Sequence, residues 1–123
     1  NAWSYGFTQY IQKYPFLWHQ NNVWWDGFKH HIAGKNQGYH NWHHESEPAE
    51  FADGATKRIL VLHLSLTTHE NEGELEFLHF GHRIQPKAGR LLIFPAGFTH
   101  THRGNTIRGD KEKHYITGWA LGH

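Results

Sequence analysis

Two short segments hold residue types that can bind a metal: His43-His44-Glu45 near the middle of the chain and His100-Thr101-His102 near its end. On a strand, side chains alternate, so His43 and Glu45 would share a face with Cα atoms roughly 7 Å apart, close enough to converge on one ion. A histidine arriving from the second segment would complete a set of two imidazoles and one carboxylate. That set grips one face of Fe(II) and leaves the opposite face open, which is the arrangement of non-haem iron sites that work with O2. His100 and His102 compete for the third position, because a regular strand would point both the same way.

Composition narrows the alternatives. The 123 residues suffice for one domain with one core, and one domain is expected over residues 1–123. With 12 Lys and Arg against 11 Asp and Glu, no strong field draws the chain to nucleic acid or to a membrane, and neither is expected as a partner. The 14 histidines are the outlier, and their number lowers the weight of any one of them as a ligand. There is no cysteine, so thiolate metal sites and disulfides are excluded. No apolar run has the length of a signal peptide or a membrane span, and a cytoplasmic location is expected. No methionine is present either, so the chain reads as a processed or trimmed product with an incomplete N-terminal edge.

The elements that must position these residues are mostly strands. Residues 4–14 predict a short helix, capped by Ser4, with Phe7, Tyr10, Ile11 and Tyr14 on one face and Pro15 closing it. Residues 16–35 read as an irregular aromatic packing layer. Strands are expected at 39–46, 58–67, 74–80, 83–85, 90–94, 99–103 and 113–121, with a polar loop over 46–57. The run 58–67 is the clearest: Leu60, Leu62, Leu64 and Leu66 fall on one face, and Ile59, Val61, His63 and Ser65 on the other. His63, within so apolar a strand, is expected to be a core histidine with its hydrogen bonds satisfied. About seven short strands divided by Gly and Pro turns argue for a sandwich or jelly roll.

The segment 37–46 (QGYHNWHHES) resembles the entry to the metal site of the Fe(II)/2-oxoglutarate-dependent oxygenases, and most closely their prolyl-4-hydroxylase-like branch, including forms of phages and marine bacteria. The likeness extends over residues 37–119. Gly38-Tyr39 precedes the His43-x-Glu45 pair, and Arg58 opens the apolar strand. Gly73-Glu74 with Phe77, and then Pro86, Gly89 and Phe94-Pro95, follow in order. His100 stands where the spacing from Phe94 favours the second histidine, and Lys113 and Trp119 match a basic residue and tryptophan on the closing strand.

The resemblance implies an all-β double-stranded β-helix, or jelly roll, with the short N-terminal helix packed on it. It implies a dioxygenase using Fe(II), 2-oxoglutarate and O2, with ascorbate as an accessory reductant. The reaction would hydroxylate a C–H bond of a peptidyl proline, another protein side chain or a small molecule, with succinate and CO2 as coproducts. The implied metal ligands are His43, Glu45 and His100. Lys113 and Tyr39 would bind the distal carboxylate of 2-oxoglutarate, with Arg108 and Lys111 as alternative cations. His102, if not the ligand, would line the mouth with Arg103. Three departures stand out: Glu45 replaces the usual Asp, Ser65-Leu66-Thr67 replaces a Tyr-Leu-Asn signature that contacts the cosubstrate, and residues 103–112 form an insertion. A cupin-like jelly roll that binds metal without turnover is the alternative from another class. A nucleic-acid demethylase is disfavoured by the absence of a basic stripe.

Overall fold

The computed structural model describes residues 2–20, 23–46 and 56–122. Helix α1 (Ala2–Lys13) and helix α2 (Pro15–Gln20) open the chain. Ser4 lies inside α1 rather than capping it, because the helix extends two residues further upstream. Trp3 stacks on Phe28 with ring centroids 4.7 Å apart, which holds that first turn against the sheet. Pro15 closes α1 and also starts α2, where its fixed φ and missing N–H suit a first helical position.

The expected irregular layer is in part a long strand, β1 (Trp24–Ala33). Its pairing with the last strand shifts register between Trp25 and Phe28. An odd step of three residues would normally put these two rings on opposite faces, but the bulge returns both to the helix side, where they meet Trp3. The strand is therefore hidden from a period-two reading. The remaining strands are β2 (Lys57–Ser65), β3 (Leu75–Phe77), β4 (His82–Ile84), β5 (Leu91–Pro95), β6 (His102–Gly104) and β7 (Lys113–Gly122).

They form two antiparallel sheets, ordered β1-β7-β2-β5 and β4-β3-β6, which together make a double-stranded β-helix. Alternation along the large sheet divides the apolar residues between two cores. Val61, Phe94, Trp119 and Leu121 face the small sheet and pack with Leu75 and Phe77. Leu60, Ala120 and Ile93 face the other way and are covered by Phe7, Tyr10 and Leu17 of the helices. The loop expected at 46–57 lies largely outside the described residues. Among the described residues, no helix is long and apolar enough to cross a membrane.

Residues 39–46, expected as a strand, run beside β6 with a single bridge, His43 to His102. The segment is tied down by spaced hydrogen bonds instead of a ladder. Gly104 N donates to Tyr39 O (2.8 Å), and Glu45 N donates to Ala96 O (2.9 Å). Gly38 makes this approach feasible, since a Cβ there would lie 3.0 Å from the carbonyl oxygens of Gly104 and Asn105.

Gly73 is constrained more tightly. Its φ is +66°, and a Cβ would meet Ile107 Cδ1 at 2.6 Å and Lys113 Cδ at 3.0 Å. Gly81 has a similar φ of +59° but open space around it. Gly81→Ala should therefore cost only left-handed strain, about 1 kcal/mol, whereas Gly73→Ala should cost that plus the clash, about 2–4 kcal/mol. Urea unfolding of the two variants measures the difference, and equal losses would remove the packing argument.

Candidate metal centre and cavity

His43, Glu45 and His102 converge so that one potential ligand atom from each lies within 4.8 Å of the others. His102 Nε2 is 3.2 Å from Glu45 Oε2, and the two imidazole rings are 4.4 Å apart. The donor chemistry fits a divalent iron. His43 Nδ1 is 2.8 Å from the carbonyl of Asn41, and His102 Nδ1 is 2.8 Å from the carbonyl of His100. A carbonyl only accepts, so each ring carries a proton on Nδ1 and turns Nε2 to the cluster, where His102 Nε2 shares a proton with Glu45 and a bound metal would take that proton's place. Such anchoring of the second nitrogen is how metal-binding histidines are held in orientation.

Glu45 supplies the anionic oxygen. Burial pushes its carboxyl pKa up, but the hydrogen bond and charge of His102 and the indole of Trp119 outweigh that and hold it below the usual range. Trp119 Nε1 donates to Glu45 Oε1 at 3.1 Å, and the guanidinium of Arg58 lies 4.2 Å over the same indole. Burial lowers the pKa of His43, which favours the neutral ring a metal requires.

His100 lies outside this cluster. The expected strand at 99–103 begins only at His102, after a 3-10 turn at Phe98–His100. That turn removes the alternation that would have aimed His100 and His102 alike. The His100 ring instead packs beside Phe80 (5.0 Å) and Phe77 (6.0 Å), with its Nδ1 2.9 Å from Thr99 Oγ1. What His100 offers the cluster is its backbone carbonyl.

The triad opens on a cavity of about 410 Å³ between the sheets. One wall is the inner face of β7, where Lys113, Tyr115, Thr117 and Trp119 alternate inward, flanked by His63 of β2 and His31 of β1. Lys113 is 4% exposed, and its Nζ donates to the carbonyl of Gly73 at 2.9 Å. Burial pushes its pKa down to about 8, against a weaker opposing pull from Glu74. Among the described residues it has no ion-pair partner, since Glu74 pairs with Arg83. The alternative cations do not line this cavity: Arg108 reaches the carbonyl of Asn71, and Lys111 that of Thr68.

Tyr39 lines the cavity but is 63% exposed, its ring edge-on to His43 at 4.5 Å. His44 is exposed at the same opening. Arg103 is anchored by Glu76 (2.9 Å) and stacks over Trp42 at 4.2 Å. Ser65, in the departed signature, is buried opposite Tyr115. His63 departs from expectation too: it is buried as foreseen, but its Nδ1 has no hydrogen-bond partner. Tyr115 carried no separate expectation; its alternation with Lys113 on the closing strand was the signal for it.

A search of curated proteins finds no match. Among solved structures, the viral collagen prolyl hydroxylase from Paramecium bursaria Chlorella virus-1, in its 2OG complex, is similar with a TM-score of 0.72 at 18% identity, covering 91% of this chain and 69% of that one. A Pseudomonas putida prolyl-4-hydroxylase gives a TM-score of 0.53 at 22% identity, over 77% of this chain and 52% of that one. An oxidoreductase of the 2OG-Fe(II) oxygenase family from Burkholderia pseudomallei gives 0.60 at 15% identity, over 80% and 43%. The chain thus spans about half the length of the latter two. The family model described as 2OG-Fe(II) oxygenase superfamily matches residues 27–121, most of the chain, including all three clustered residues and the whole cavity wall. The chain belongs to the 2OG-Fe(II) oxygenase superfamily, the dioxygenases that use Fe(II), 2-oxoglutarate and O2.

Proposed function

We propose that the chain hydroxylates a C–H bond of a peptidyl proline or another protein side chain, with His43, Glu45 and His102 as the Fe(II) ligands. The observation that carries this reading is the pairing of two sites in one cavity. At one end are two imidazoles that turn Nε2 toward a carboxylate, and on the wall is a buried ammonium that, among the described residues, has no ion-pair partner. A five-carbon keto diacid has a metal-chelating end and an anionic end to match. Bound Fe(II) would supply the coupling of O2 reduction to oxidative decarboxylation of the keto acid and to substrate oxidation.

The protein's own contribution is positioning and charge. Trp119 fixes Glu45, and the Asn41 and His100 carbonyls fix the imidazoles. Lys113 would neutralise the distal carboxylate, with Tyr39 at the opening adding its hydroxyl. Tyr39 gives the opening an exposed aromatic ring, edge-on to His43, while Trp42 and Arg103 stack on each other outside the cavity lining. Flat aromatic faces suit the apolar edge of a prolyl ring, and the similar structures named prolyl hydroxylases support that substrate class. A peptide carrying proline, supplied with Fe(II) and 2-oxoglutarate, should yield hydroxyproline and one succinate per turnover, measured by mass spectrometry. Succinate formed without any peptide oxidation would exclude this substrate.

The two candidate histidines are separable. Anaerobic Fe(II) with 2-oxoglutarate should give a visible charge-transfer band that His43→Ala and His102→Ala abolish. His100→Ala should retain it, because only its backbone carbonyl serves the cluster. A band surviving in His102→Ala but lost in His100→Ala would reverse the assignment.

Lys113 sets a pH dependence. The ammonium is the form that pairs with a carboxylate, and it is present below a pKa of about 8 and lost above it. Binding must then take up a proton, so 2-oxoglutarate affinity should fall up to about tenfold per pH unit above that value. Calorimetric titration on the Zn(II)-loaded protein from neutral to alkaline pH tests this. A flat profile there would remove Lys113 from carboxylate binding.

A further inference from the structure

One group on the cavity wall is explained by neither the triad nor Lys113. His63 sits in the middle of β2, opposite Thr117 of β7, and is 7% exposed. Its ring stacks on Tyr115 with centroids 4.8 Å apart and planes 14° apart. Tyr115 stacks in turn on His31, at 4.7 Å and 4°. The three rings form one pile across the central strands, and they hold His63 in place without using its nitrogens.

The far end of the pile is closed by a hydrogen bond between His31 Nε2 and Thr117 Oγ1, 2.8 Å apart. The near end has no such closure. Among the described residues, His63 Nδ1 is the one fully enclosed side-chain nitrogen or oxygen without a hydrogen-bond partner. The other buried histidines are both bonded, His69 to Thr67 and Glu72, and His102 to the carbonyl of His100. Buried polar groups are almost always paired, and a leucine would fill this position without a penalty for an unmade bond. The ring lines the cavity, beside an ammonium that among the described residues has no ion-pair partner, so a polar ligand there would give this imidazole the hydrogen bond that the protein does not.

We infer that His63 is a cosubstrate-binding residue, whose neutral imidazole hydrogen-bonds the 2-oxoglutarate that Lys113 holds by its distal carboxylate. This rests on the reading of the cavity as the keto-acid site. Burial, and then the neighbouring Lys113 ammonium, push the His63 pKa down to about 3, so the ring is uncharged at neutral pH. A neutral imidazole has one N–H donor, and a bond from it to a carboxylate oxygen is charge-assisted. It adds direction to the attraction of Lys113 without placing a second positive charge beside it. It also gives the cosubstrate a polar contact on β2, the strand paired with the β7 wall.

The test is binding, read without turnover. Zn(II)-loaded protein is titrated with 2-oxoglutarate in a calorimeter as wild type, His63→Leu and His63→Gln. The leucine variant should keep its Zn(II) affinity and its melting temperature while binding 2-oxoglutarate about tenfold more weakly. The glutamine variant, which keeps a donor, should recover part of the loss. Unchanged affinity in His63→Leu overturns the inference, and so does a loss of Zn(II), which would make His63 a support of the metal ligands. Should the variants not fold, the imidazole nitrogens of wild-type His63 serve instead: one should shift in nitrogen-15 spectra on adding 2-oxoglutarate, and an unmoved pair overturns the inference. Wild-type protein that holds Zn(II) but takes up no 2-oxoglutarate fails differently, because it removes the keto-acid reading itself.

Discussion

The reciprocal backbone bridge between His43 and His102 is the constraint on which the site depends. His43 N donates to His102 O at 3.0 Å, and His102 N donates to His43 O at 2.9 Å. Two such bonds fix the two residues as a directly opposed antiparallel pair, so their side chains leave the backbone side by side. Everything else at the cluster refines that juxtaposition. The carbonyls of Asn41 and His100, each two residues upstream, orient the rings, and Glu45 follows two residues later on the same anchored segment. The bridge joins a segment without regular strand structure to the edge of the small sheet, so the histidine–carboxylate end of the cavity lies at a seam between ordered and irregular backbone.

The opposite wall is built on a different principle. It lies in regular sheet, and alternation alone decides which side chains enter the cavity. β7 is sandwiched between β1 and β2, so its inward residues are buried on both flanks. This explains why Lys113 loses so much solvation that its pKa falls, and why Tyr115 is raised by burial first and by Glu45 next. The cavity joins an irregular, backbone-anchored rim to a rigid, side-chain-patterned floor.

That division also explains what the sequence made legible. The β2 and β7 strands, the cation at 113 and the His43-x-Glu45 pair follow from period-two patterning and motif order, and the structure places them within about one residue of expectation at most strand ends. Strand β1 escaped because its bulge puts Trp25 and Phe28 on one face. His100 was favoured over His102 because a spacing rule counts residues, and it cannot register that a 3-10 turn uses three of them to change direction. The unpaired nitrogen of His63 was beyond reach for another reason: a strand pattern tells which face a residue occupies, not whether a donor waits on that face.

The tryptophan and lysine of β7 lie on one unbroken strand, six residues apart, with Trp119 bonded to the triad's carboxylate and Lys113 to Gly73. That strand acts as a ruler. It sets the span between the His43–Glu45–His102 cluster and the buried cation, and each graduation is two residues. Inserting one residue between the two marks without a bulge like that of β1 would not lengthen the span gradually: it would turn one of the two side chains to the far face of the sheet, against the helices. The length of molecule this cavity accepts can therefore change only in steps of a whole pleat, so loops at the rim can drift in sequence while the gauge of the cavity stays fixed.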